Sequence, residues 1–178
     1  MSKEMPDMGG PKTPAEKQKV ILLEKINKVI SDFGPGGKRK IAPEFLEEYN
    51  PLKGKVLVMV DDIKEILKDL APELMVATDC NAFFIEYAGQ KMDKLIEQIM
   101  QYNPDIVLMD YHLSKNLKGS SVIEVLNRQN FSGQVVGFSS DDQASKEFIA
   151  VGAKGAIKKD INYPEKTVGQ LASLISKE

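Results

Sequence analysis

From Lys55 onward, short apolar runs alternate with longer segments in which apolar residues recur at helical spacing, as in Met92, Leu95, Ile96, Ile99 and again in Val168, Leu171, Leu174, Ile175. Short runs without polar alternation suit strands buried on both faces, and a 3.6-residue recurrence suits amphipathic helices laid over them. The pattern predicts strands over 55–60, 82–87, 105–109, 134–138 and 155–158, and helices over 63–71, 91–102, 120–129, 141–151 and 164–177. Such alternation predicts an α/β fold with a doubly wound five-stranded parallel sheet. Pro72 is expected to break or restart a helix between the first two strands, because it lacks an amide proton and its ring clashes with the preceding turn.

The first half-hundred residues read differently. Residues 1–12 are a polar lead-in rich in Gly, Pro, Lys and Met, expected to be disordered. Thr13-Pro14-Ala15-Glu16 then carries a capping hydroxyl, a proline at the first helical position and an acid three residues after the cap. Leu22, Leu23, Ile26, Val29, Ile30 and Phe33 continue at helical spacing until Gly34-Pro35-Gly36-Gly37 ends the run. A brief second helix is expected near 42–46, after the basic run Lys38 to Lys40. The organisation read from sequence is therefore a lead-in over 1–12, a helical extension and linker over 13–53, and one α/β domain over 54–178. The stripe of 13–33 calls for a cover, either the domain itself or a second copy in a homodimer.

Composition removes several classes of function. The formal charge is −2, so there is no basic excess to track a phosphate backbone or an anionic membrane, and direct nucleic-acid binding is not expected. Cys80 is the only cysteine, which precludes an internal disulfide or a cysteine metal cage. Neither a signal peptide nor an apolar run of spanning length is evident, and a cytoplasmic location is expected.

The chemistry lies at the strand ends. Val56 to Val60 runs directly into Asp61 and Asp62, and Ile106 to Met109 ends on Asp110. In an open parallel sheet the carboxyl ends of the strands share one edge, where ligands bind. That edge would also receive Ser139 and Ser140 from the fourth strand and Lys158 or Lys159 from the fifth. Three converging carboxylates repel one another unless they share a hard cation, for which magnesium is well suited. Hydroxyl and ammonium groups beside them match phosphoryl oxygens. Taken singly, Asp61 and Asp62 would read as cap and first-turn acid of the next helix.

The runs VLVMVDD, DIVLMDYHL, VVGFSS and GAKGAIKKDI, in that order, resemble the receiver domain of two-component response regulators, over about residues 54 to 178. The resemblance implies a flavodoxin-like strand order 2-1-3-4-5. It makes Asp110 the phosphoacceptor and gives magnesium to Asp61, Asp62, Asp110 and the main-chain carbonyl of His112. Ser139 matches the switch Ser/Thr and Lys159 the basic residue, four positions after Gly155. A sensor histidine kinase or a histidine phosphotransfer protein would be the donor, an unknown downstream protein the recipient of the signal. The chain would be no enzyme beyond its own phosphotransfer and dephosphorylation. Ala156 departs from the pattern, since an aromatic switch residue is usual three before the lysine, and the loop after Asp110 carries Leu113-Ser114 where Met-Pro is frequent.

Two other readings use the same residues. Asp110-Tyr111-His112 resembles the start of the cobalamin-binding motif Asp-x-His-x-x-Gly, although Lys115 stands where that motif has glycine. A pseudo-receiver would keep the fold and act as a phosphorylation-independent interaction module. A haloacid-dehalogenase-like phosphatase would need a second acid where His112 stands.

Overall fold

Continuous apolar runs become strands β1 (Leu57–Asp61), β2 (Ala82–Glu86), β3 (Ile106–Asp110), β6 (Gln134–Ser139) and β7 (Gly155–Lys158) in a computed structural model that describes residues 47–177. They form one parallel sheet in the order β2-β1-β3-β6-β7, the order expected for the five predicted strands. Helices α1 (Lys64–Ala77), α2 (Met92–Met100), α3 (Gly119–Arg128), α4 (Asp142–Ala150) and α5 (Pro164–Ile175) fill the connections. The predicted helix over 13–33, its dimerisation and the helix near 42–46 lie outside the described residues.

Alternate residues of each strand feed two cores. Leu57, Met59, Leu108 and Phe138 face α1 and α5, where they meet Leu70, Leu74, Val168 and Leu171. Val58, Val60, Val107 and Met109 face the other layer, with Leu95 and Ile99 of α2, Val122 and Leu126 of α3, and Phe148 of α4. Both faces of β1 and β3 are thus buried, which is why their sequences show no polar alternation. Tyr49 and Leu52, in the stretch read as linker, are buried in the first of these cores, and the Tyr49 hydroxyl donates to the Glu165 carbonyl of α5 at 3.4 Å.

Two features depart from the sequence reading. α1 runs through Pro72 without interruption. A proline inside a helix costs roughly 3 kcal/mol, but each buried leucine contributes about 1.5–3 kcal/mol. Leu67, Leu70 and Leu74 lie on the buried face across that position, so continuing the helix keeps more than breaking it would save. The turn after α1 is closed by Thr78, whose hydroxyl donates to the Leu74 carbonyl at 2.7 Å, and by Cys80, whose amide donates to the Met75 carbonyl at 2.7 Å.

The second departure follows Asp110. β4 (His112–Ser114) and β5 (Leu117–Lys118) pair as a small antiparallel ribbon with a register shift between His112 and Ser114. The ribbon returns the chain to Gly119, whose amide donates to the Tyr111 carbonyl at 2.8 Å. A Cβ at Gly119 would collide with the Asp110 carbonyl, so this return needs glycine. No helix among the described residues is long and apolar enough to cross a membrane.

Candidate functional site

The strand ends do converge. Asp61 is the last residue of β1, Asp110 of β3 and Ser139 of β6, while Lys159 directly follows β7. The Lys159 amide donates to the Ser139 carbonyl at 3.0 Å, which fixes its backbone at this edge. Its ammonium then reaches across β6 to donate to Asp61 Oδ2 at 2.7 Å and to Asp110 Oδ1 at 2.8 Å. Nζ also lies 5.2 Å from the Phe138 ring centroid, a further favourable contact for a cation.

These charges are withdrawn from water. Asp61 is 0% exposed, Asp110 4%, and the Lys159 side chain 13%. Asp61 uses its other oxygen as well, Oδ1 accepting from the Ile63 amide at 2.9 Å. Asp62 is exposed beside them. One carboxylate oxygen from each of Asp61, Asp62 and Asp110 can be chosen so that all three lie within 4.8 Å of one another. The cap reading of the paired acids does not hold for α1, whose N-cap position is Ile63 and carries no side-chain cap.

Burial pushes the Asp61 carboxyl up to about 6, against the opposing pull of its bond to Lys159, and the neighbouring Asp110 charge adds to the rise. Partial desolvation, then Asp110, raises Asp62. Burial works against the Lys159 ammonium, but its bonds to Asp110 and Asp61 outweigh that and hold its pKa above the ordinary lysine value. Two buried carboxylates therefore share one buried ammonium, with the exposed Asp62 carboxylate beside them, and burial makes the negative charge on Asp61 and Asp110 costly.

The remaining sequence candidates are placed as follows. Ser139 is buried at the end of β6, and its Oγ accepts from the Asp141 amide at 3.1 Å; Ser140 is exposed. Asp141 caps α4, its Oδ1 accepting from the Gln143 amide at 2.8 Å. Lys158 is exposed, makes no ion pair among the described residues, and its amide donates to Gln170 Oε1 at 3.3 Å. His112 is exposed at the start of β4 with its ring edge-on to Tyr111. Ala156 is half-buried on β7 opposite Gly137.

One group near the site left no mark in the spacing of the sequence. Tyr111, next to Asp110, is buried and meets Phe148 of α4 edge-on at 5.5 Å. Lys118 of β5 pairs with Glu147 of α4 at 3.1 Å, and its ammonium lies 5.0 Å from the Tyr111 ring centroid. Phe148 in turn fills the space that Gly137 leaves open, since any Cβ there would overlap its ring. Gly137 was the one readable sign of such a close approach, and it named no partner.

No family model and no curated protein matches the sequence. Solved structures do. The receiver domain of the Francisella response regulator 1452 is 18% identical, with a TM-score of 0.52 over 67% of this chain and 97% of that one. The receiver domain of the Arabidopsis thaliana histidine kinase CKI1, complexed with Mg2+ and BeF3−, is 14% identical with a TM-score of 0.54, over 71% of this chain and 95% of its own. The BeF3-activated N-terminal receiver domain of Klebsiella pneumoniae RstA is 23% identical with a TM-score of 0.53, over 68% and 98%. The five-stranded sheet, its strand order and these likenesses together show that the chain has the fold of a response regulator receiver domain.

Proposed function

We propose that the chain is a phosphoryl-accepting receiver that takes a phosphoryl group on Asp110 and alters its contacts with a partner in response. The observation that carries this reading is the Lys159 ammonium held between Asp61 and Asp110, with Asp62 alongside, at the carboxyl edge of the sheet. The same residues fit a divalent cation. Their oxygens are hard donors within reach of one centre, and one ammonium does not balance three carboxylates. Asp61, Asp62, Asp110 and the His112 main-chain carbonyl would hold magnesium. When bound, the ion supplies positive charge to the oxygens of the transferring phosphoryl group.

The chain's own residues do the rest. An Asp110 carboxylate oxygen attacks phosphorus in line with the leaving group of a phosphohistidine or an acyl phosphate. The new O–P bond forms as the bond to the donor breaks, and the donor leaves with the electron pair. Lys159 is already bonded to Asp110 and moves its hydrogen bond to a phosphoryl oxygen without ever giving up its proton. Ser139 keeps its hydroxyl proton available while its oxygen accepts from Asp141, so donation to the phosphoryl group would draw the loop that leads into α4. The donor class is a sensor histidine kinase or a histidine phosphotransfer protein, as for receivers in general.

Ala156 has no ring to rotate, so signalling through that position is closed to this chain. The packing of Phe148 on Tyr111 and Gly137, with the Lys118–Glu147 pair, favours α4 as the element that responds. The test is an amide-shift titration of the full chain with magnesium and then beryllofluoride, which mimics the aspartyl phosphate. Successive shifts at 61–62, 110–114 and 139–150 are expected. A spectrum indifferent to both additions would remove the proposal.

A further inference from the structure

The ribbon that follows Asp110 is gripped from outside by α4. His112 of β4 is the cross-strand partner of Lys118 of β5, and the Gly119 amide closes the ribbon on the Tyr111 carbonyl at 2.8 Å. The Lys118 ammonium donates to both oxygens of Glu147 on α4, at 3.1 and 3.3 Å, and lies 5.0 Å from the Tyr111 ring centroid. The Tyr111 hydroxyl and then Lys118 hold the Glu147 carboxyl below the usual carboxylate range. Phe148, the next residue of α4, meets the Tyr111 ring edge-on. Successive residues of one helix thus touch the ribbon through a buried ring contact and a solvent-facing charged one.

For stability the charged contact matters little. The Lys118 and Glu147 side chains are 51% and 35% exposed, and ion pairs so open to water contribute little to folding. Two long side chains nevertheless give up rotamer freedom to make it. What the contact delivers is the place of the ribbon. Leu113 is buried and anchors the middle of β4, but His112 and Ser114 on either side are exposed. The register shifts between those two, so pairing beyond His112 does not fix it, and its cross-strand hold is on Lys118.

We propose that Lys118 and Glu147 are positioning residues for the divalent cation, fixing from α4 the main chain at His112 whose carbonyl serves as a ligand. The inference rests on the phosphoryl-accepting reading for that ligand. A ligand ordered before the ion arrives lowers the cost of binding it, and outer partners of metal ligands tune affinity in this way. The coupling is reciprocal: an ion that favours the held ribbon also favours α4 in the place where it holds the ribbon.

Charge and position give opposite signs at Lys118. Removing a positive charge near the site would by itself tighten a cation or leave it unchanged, whereas loosening the ribbon would weaken it. In a magnesium titration of the full chain read by amide shifts, Lys118→Met should bind about two- to five-fold more weakly than wild type, the span open to an exposed pair. Lys118→Arg should recover most of that loss. Arg128→Met, which breaks an exposed pair with Glu124 within α3, should change nothing. In metal-free protein, hydrogen exchange of the Gly119 amide should quicken in Lys118→Met and in Glu147→Gln, while the unfolding midpoint and the exchange of β1 and β3 stay as in wild type. If wild type binds magnesium, equal or tighter binding by Lys118→Met, or a Gly119 amide indifferent to both variants, would overturn the proposal alone. A wild type that binds no magnesium would overturn it together with the phosphoryl-accepting reading.

Discussion

The Tyr111 ring meets Phe148 edge-on, with centroids 5.5 Å apart and planes inclined at 81°. Tyr111 follows Asp110 directly and Phe148 sits in the last turn of α4, so this contact joins the carboxylate edge to the helix expected to respond. Edge-to-face pairs contribute about 0.5–1.5 kcal/mol beyond their buried area. A double-mutant cycle with Tyr111→Leu and Phe148→Leu, followed by denaturant unfolding, should give a coupling energy in that range. Strictly additive losses would mean the rings are neighbours without being partners.

Lys159 and Lys158 differ by one position and should differ widely in effect. Removing the Lys159 ammonium leaves Asp61 and Asp110 buried without their cation, a loss of about 3–5 kcal/mol at neutral pH. Exposed Lys158 makes no ion pair among the described residues, and Lys158→Ala should stay within about 0.5 kcal/mol. Equilibrium unfolding of both variants checks this, and the reverse order would put the wrong lysine in the site.

The raised Asp61 carboxyl gives stability a definite slope with pH. Its folded pKa of about 6 lies above the ordinary value of 3.8, so the folded state holds the proton more tightly. Its contribution is present in full below about 4 and is lost as pH rises through about 6. The two values differ by roughly 2 units, worth about 3 kcal/mol. In chelator, wild-type stability should therefore fall between pH 4 and 6 relative to Asp61→Asn. Magnesium affinity should run the other way, rising as pH passes about 6 and the proton leaves. A wild-type-minus-variant difference that is flat with pH would contradict the placement of Asp61.

Much of this architecture was readable because both faces of the sheet are covered. Val56 to Val60 and Ile106 to Met109 have no alternation to misread, and each predicted strand lies within two residues of the observed one. The acid endings were legible for the same reason, since a polar residue closing a fully apolar run stands out. The reading failed where tertiary packing overrode a local rule. Pro72 obeys the burial of Leu70 and Leu74, not its own preference. The β4–β5 ribbon is too short to carry periodicity, and the Lys118–Glu147 pair joins residues that only the fold brings together.

Pro72 also gives a clean test of that explanation. If α1 continues in spite of the proline, Pro72→Ala should restore the missing backbone bond and stabilise the protein by about 1–3 kcal/mol, the gain reduced by the looser unfolded chain. Thermal and denaturant unfolding would show it. A destabilised variant would mean that Pro72 is favourable where it stands, and the account of α1 would need revision.

The central claim is that Asp110 accepts a phosphoryl group, and intact-mass spectrometry of the full chain incubated with magnesium and acetyl phosphate tests it most directly. The account predicts a single acid-labile phosphoryl adduct, dependent on the metal, absent in Asp110→Asn and strongly reduced in Lys159→Ala. An adduct of undiminished yield in Asp110→Asn, or none in the wild type under conditions that label a known receiver, would contradict it.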